Sequence, residues 1–212
     1  MEKNKTAEKY LTQTVTAKWD IIFGALVAVG VILFLVGWGW GYYFSIPAVF
    51  VGAAGFILAR SQRVSDDDYQ GLLDHILVDN RIEKTAKPGA LMLTSYVMKD
   101  SRIARGIDRA LRSDIYFMAE FGFGGGSCRI VTHTVDIAKA TVAESRYTVP
   151  VAEKPRIEAE TVETRLGPVT QSYLVFDNES IRLPVDTSSA DVDEVMAKFG
   201  RYSTKTAGVS VE

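Results

Sequence analysis

From Ile21 to Ala59 the chain carries 39 consecutive residues without one Lys, Arg, Asp or Glu. A helix needs about 20 apolar residues to cross roughly 30 Å of hydrocarbon, so the run is too long for one span and about right for two. The natural break is Gly37–Pro47, where three glycines, a serine and a proline weaken a helix. Trp38, Trp40, Tyr42 and Tyr43 there are the amphipathic rings expected at headgroup level. The reading is a transmembrane hairpin over residues 20–61, with Gly52 and Gly55 as small residues that let its two helices approach. Lys3, Lys5, Lys9 and Lys18 precede it, Arg60 and Arg63 lie at and just beyond its end, and the turn holds no cation. That bias expects an integral inner- or plasma-membrane protein with the bilayer as partner and both termini cytoplasmic, residues 1–19 forming an N-terminal tail.

The rest of the chain is enough for one domain with a real core. A net charge of −2 argues against a nucleic-acid partner. The single cysteine, Cys128, excludes a disulfide framework within the chain. After Arg63, Ser65 is a good N-cap, Asp66, Asp67 and Asp68 suit a helix N-terminus, and Leu72, Leu73, Ile76 and Leu77 share a face. Residues 64–89 are therefore expected to be a docking helix and linker, ended by Pro88-Gly89.

From Ala90 the pattern turns strand-like. ALMLTSYVM, SDIYFMAEF, CRIVTHTVDI, SRYTVPVA, PRIEAETVETRL, TQSYLVF and SIRLPV read as seven strands, with turn signals at GFGGGS, Lys154-Pro155, Gly167-Pro168 and Asp177-Asn178. This spacing expects antiparallel pairing. SSADVDEVMAKFGRY then reads as a helix with Val192, Val195, Met196 and Phe199 on one face, a Ser188/Asp191 capping box and Gly200 as C-terminal cap. Residues 203–212 read as a loose tail.

Seven antiparallel strands closed by one amphipathic helix resemble a pleckstrin-homology-like barrel, placed at residues 90–202. The whole chain resembles uncharacterised bacterial membrane proteins with a helical hairpin, an acidic helix and such a domain. The resemblance is carried by SDDDYQGLLDHIL, SYVMKDSRIARGIDRALRSDIYFMAEFGF and ESRYTVPV. The fold class expected is thus α+β: a two-helix transmembrane hairpin plus a seven-stranded pleckstrin-homology-like barrel capped by a C-terminal helix.

The resemblance implies two binding modes. Peptides bind such domains by strand addition between a sheet edge and the terminal helix, here beside Val192, Met196 and Phe199. Lipid-reading members grip phosphate through basic residues between the first two strands, here Lys99, Arg102, Arg105, Arg109 and Arg112. Lys99 matches the first position of their pattern, whereas Arg109 and Arg112 are spaced too widely for its basic-x-Arg pair. The plain alternative is a solvated loop, or a short helix with Arg105 and Arg109 one turn apart.

The remaining signals favour structure over chemistry. A phosphate-binding glycine loop must lead into a helix, but a strand follows GFGGGS, so a hairpin turn is expected. His75 and His133 belong to no motif that joins them to carboxylates. Asp66–Asp68 lack the spacing of a calcium loop, and Asn178-Glu179-Ser180 is a sequon on a hairpin turn. With no nucleophile–base pair, no metal set and no cofactor motif, the expectation is a non-enzymatic, membrane-anchored scaffold or recognition protein that binds a protein partner. Anionic-lipid recognition through 99–112 is the alternative, and the oligomeric state is left open.

Overall fold

The computed structural model describes residues 4–13, 18–36, 41–61, 63–177 and 180–207. Four helices come first: α1 (Lys5–Thr12), α2 (Lys18–Val36), α3 (Gly41–Ser61) and α4 (Asp66–Asp79). Nine strands follow: β1 (Ala90–Tyr96), β2 (Ile103–Arg105), β3 (Leu111–Ser113), β4 (Ile115–Gly124), β5 (Ser127–Asp136), β6 (Thr141–Pro150), β7 (Arg156–Thr164), β8 (Gly167–Phe176) and β9 (Ile181–Val185). Helix α5 (Ala190–Ala207) ends the fold. All pairing is antiparallel, in a four-stranded sheet β1-β4-β5-β6, a three-stranded sheet β7-β8-β9 and the small hairpin β2-β3. The class is α+β, and the seven expected strands are all present. The two extra ones, at 103–105 and 111–113, fall in and at the end of the segment 99–112, which the sequence reads as a loop or short helix. Among the described residues the sheets do not join into one closed barrel.

Alternation along the strands explains the two hydrophobic cores. On the inner face of the four-stranded sheet, Leu93, Phe117, Ala119, Phe121, Cys128, Ile130 and Val149 meet Leu174, Phe176 and Leu183 of the second sheet, and Val192, Val195 and Phe199 of α5. The outer face is half covered: Met118 and Val135 pack under Tyr69, Leu73, Ile76 and Leu77 of α4 and Ala7, Tyr10 and Leu11 of α1. Helix α4 forms with Ser65 as its N-cap, as read, and Asp68 completes a capping box with it that the sequence reading does not include. Between β4 and β5, Gly125 (φ +58°) and Gly126 (φ +78°) form a two-residue turn that other residues would strain.

Four expectations are corrected. Among the described residues no helix is long and apolar enough to cross a membrane. In α2 the charge-free part runs from Ile21 to Val36 and reaches about 24 Å at 1.5 Å per residue, short of the roughly 30 Å core. Helix α3 is diluted by Ser45, Pro47 and Gly41, Gly52 and Gly55. The transmembrane hairpin is therefore withdrawn, and with it the integral inner- or plasma-membrane placement with both termini cytoplasmic. What forms is a close helical hairpin: a Cβ at Gly52 would lie 2.7 Å from Val27, and one at Gly55 would strike the Phe23 ring. Outward side chains such as Leu35, Phe44 and Phe50 are exposed; of the break expected over Gly37–Pro47, residues 41–47 belong to α3 and residues 37–40 lie outside the described residues.

The second correction concerns the N-terminus, where residues 5–12 are not tail but helix. Asn4 caps α1, and Gln13 exchanges two hydrogen bonds with the backbone of Val64, at 2.8 and 3.1 Å, joining the two ends of the hairpin. Third, α5 continues to Ala207, so Gly200 is internal rather than a cap and the expected tail begins as helix; residues 208–212 lie outside the described set. Finally, Ser189 rather than Ser188 accepts the N–H of Asp191.

Candidate functional site: the open edge of the four-stranded sheet

The basic segment is largely spent on internal contacts. Strands β2 and β3 turn it into a hairpin whose loop places Arg109 at φ +68°. Lys99 donates to Glu160 at 2.6 Å, and Arg102 donates to Asp114 from its backbone N–H and its Nε, at 3.0 and 2.9 Å. Arg112 is buried. Its two terminal nitrogens donate to Asp108 at 2.9 and 2.6 Å, and it also faces Asp66 at 3.8 Å and the Tyr10 hydroxyl, which donates to Asp66 at 2.8 Å. This pairing holds the Asp108 carboxyl down at about 2, and burial pushes the Tyr10 and Tyr69 phenols up. Arg112 thus joins α1, α4 and the β2–β3 loop, a structural role that a count of charges does not reveal. Only Arg105 and Arg109 of the five remain exposed without a recorded ion pair among the described residues.

The residues expected to flank a peptide groove are filled in. Val192 and Phe199 are 2% and 0% exposed, and Met196 packs partly buried beside them, all inside the core. Phe199 meets Phe123 edge-on at 5.1 Å and Phe176 at 5.3 Å. The apolar stripe of α5 is spent on closing the space between the sheets.

The open element is β6. In an antiparallel ladder, successive residues point their N–H and C=O groups alternately to one neighbour and the other. Val97 N–H donates to the carbonyl of Ile115, Ile137 N–H to that of Asp114, and Val151 N–H to that of Gly126. Carried through the register, these three bonds fix one consistent parity: odd-numbered residues of β6 bond to β5, and even-numbered ones point away from it. Val142, Glu144, Arg146 and Thr148 therefore hold their N–H and C=O toward the free edge, where no partner strand is recorded among the described residues. Pro150 of the same strand also has this parity, the one at which a missing N–H costs no ladder bond.

The even-numbered side chains share the outer face with a concave surface that α4 does not cover. One depression of about 410 Å³ lies between residues 80–87 and the sheet and includes Met92, Glu120, His133 and Glu144. A second of about 360 Å³ continues across Arg129, Val131 and Arg146. His133 pairs in register with Glu144, and its buried Nδ1 has no hydrogen-bond partner. Glu144 accepts from Arg146 at 2.5 Å, which lowers its pKa below the ordinary carboxylate value. His75 sits apart, exposed on α4.

Strand β7, at the end of the second sheet, is different in kind. Its Glu158 is held by Arg156 and Arg182, and Glu160 by Lys99 and Arg182, so fixed charges guard that strand. Among the described residues no group of three or more His, Cys, Asp or Glu side chains could hold a metal ion. Cys128 is buried in the core, and burial pushes its thiol up to about 12.

No family model, no curated protein and no solved structure matches the chain. The resemblance to bacterial membrane proteins with a helical hairpin is accordingly withdrawn, since neither a family match nor a helix of membrane-crossing length supports it.

Proposed function

We propose that the β-domain is a non-enzymatic recognition module that binds a protein partner by receiving an extended segment as a fifth strand on β6. The observation that carries this reading is the run of outward N–H and C=O groups on Val142, Glu144, Arg146 and Thr148. An extended segment laid there gains main-chain hydrogen bonds along the edge, while alternate side chains enter the depressions beside Glu144 and Arg146. The four-plus-three strand order closed by α5 supports a pleckstrin-homology-like reading of the domain. The binding edge then differs from the one the resemblance implied, because α5 fills its own groove. Lipid recognition through residues 99–112 loses its support with the pairing of Lys99, Arg102 and Arg112.

The test is selection of peptides from a random display library on the full chain. The expected binders weaken at least about tenfold on Arg146→Pro, which removes an outward N–H, and keep their affinity on Ile157→Ala in β7. Binders indifferent to Arg146→Pro would refute the reading.

A further inference from the structure

The outward residues of β6 read, in order, apolar, acidic, basic and hydroxyl: Val142, Glu144, Arg146 and Thr148. We propose that the strand this edge receives is β6 of a second copy of the chain, antiparallel, about a two-fold axis through Ser145; this rests on the reading of β6 as an open edge. A two-fold pairing of outward residues requires an even residue opposite an even one, which leaves few registers. The register that sets Glu144 opposite itself, or Arg146 opposite itself, brings like charges together. The axis at Ser145 sets Glu144 of each copy opposite Arg146 of the other, and Val142 opposite Thr148.

In that register the four outward residues of each copy form four hydrogen-bonded pairs of two bonds each across the axis. Each charged side chain keeps its in-chain neighbour, since Arg146 already donates to Glu144, and gains an opposite charge across the interface. The four charges then alternate in sign around the axis. On the other face the residues nearest the axis, Ala143 and Ser145, are small and exposed, so no bulky side chain opposes the approach. The two four-stranded sheets become one sheet of eight, and both open β6 edges disappear.

The experiment is sedimentation of the full chain in a mild non-ionic detergent that shields the exposed apolar faces of α2 and α3. The unaltered chain is expected to dimerise. Glu144→Arg and Arg146→Glu, each alone, turn both cross-axis pairs into like-charge pairs and weaken association about tenfold or more. An equimolar mixture of the two variants restores opposite charges across the axis, and dimers are expected to return. A monomeric unaltered chain, single variants that associate like it, or a mixture that stays monomeric would each overturn self-pairing. If display peptides sensitive to Arg146→Pro still bind in any of those cases, only self-pairing falls. If no such peptides bind either, the open edge falls with it.

Discussion

Two neighbouring exposed residues of β6 separate the open edge from the bonded one. Ser145 pairs with Thr132 and, by the parity of the ladder, gives its N–H to the carbonyl of that residue; Arg146, next along, points its N–H away from the sheet. Proline removes the N–H in both cases, and neither side chain is part of the core. At Ser145 the loss leaves an acceptor on Thr132, which is 4% exposed, without its donor. An orphaned buried backbone group costs about 1–3 kcal/mol. At Arg146 no ladder bond is lost. The lost surface pair with Glu144 costs about 0–1 kcal/mol. In a domain of this size 1 kcal/mol moves the midpoint by several degrees. Thermal unfolding followed by circular dichroism should therefore show Ser145→Pro melting roughly 5–10 °C lower, and Arg146→Pro within a few degrees of the unaltered chain. Equal losses at the two positions, or a larger loss at Arg146, would refute the parity from which the open edge is derived.

Other consequences concern the interior. Phe199→Ala removes a fully buried ring between Phe123 and Phe176 and is expected to cost about 3–5 kcal/mol in urea unfolding, as a core residue would and a groove residue would not. Gly106→Ala forces a Cβ against the Arg112 guanidinium and the Asp108 and Asp66 carboxylates, so it should lower the urea midpoint, whereas Gly71→Ala on α4, which meets nothing within 4 Å, should not. The Asp108 carboxyl lies at about 2, below its ordinary 3.8, so its contribution to stability is present above about pH 4 and is lost as pH falls toward 2. Urea midpoints across that window should fall less steeply in Asp108→Asn. The Cys128 thiol, pushed up to about 12, should resist iodoacetamide at pH 8 in the folded chain and react only in denaturant.

Much of the β-domain is legible in the sequence because its strands alternate cleanly and its turns carry glycine, proline or Asp-Asn. The Ser65 cap and the apolar face of α4 are legible for the same local reasons. Strands β2 and β3 are not, since each has three residues and sits among five cations that suggest a solvated loop. Helix α1 did leave a signal, in the Asn4 cap and in Ala7, Tyr10 and Leu11 at helical spacing, but it is short and sits among lysines. The face of α5 is legible as apolar, but its neighbour is not: Val192, Met196 and Phe199 meet the core, because a sandwich of two sheets needs that stripe to close it. The charge-free run does fold as two helices, but its count passes over the charges that begin α2 and the glycines and proline that thin α3. The β6 edge was beyond reach for a different reason. Its residues read as an ordinary strand, and only the order β1-β4-β5-β6 shows that, among the described residues, no strand pairs beyond them.

Residue-resolved amide hydrogen exchange on β6 bears most directly on whether this edge receives a strand. The N–H groups of Ala143, Ser145, Tyr147 and Val149 should be protected under all conditions. Those of Val142, Glu144, Arg146 and Thr148 should exchange fast at high dilution and become protected when a strand docks, as concentration rises or a selected peptide is added. Protection of the even-numbered set at high dilution, or no gain of protection when a strand-forming ligand is bound, would contradict the open edge.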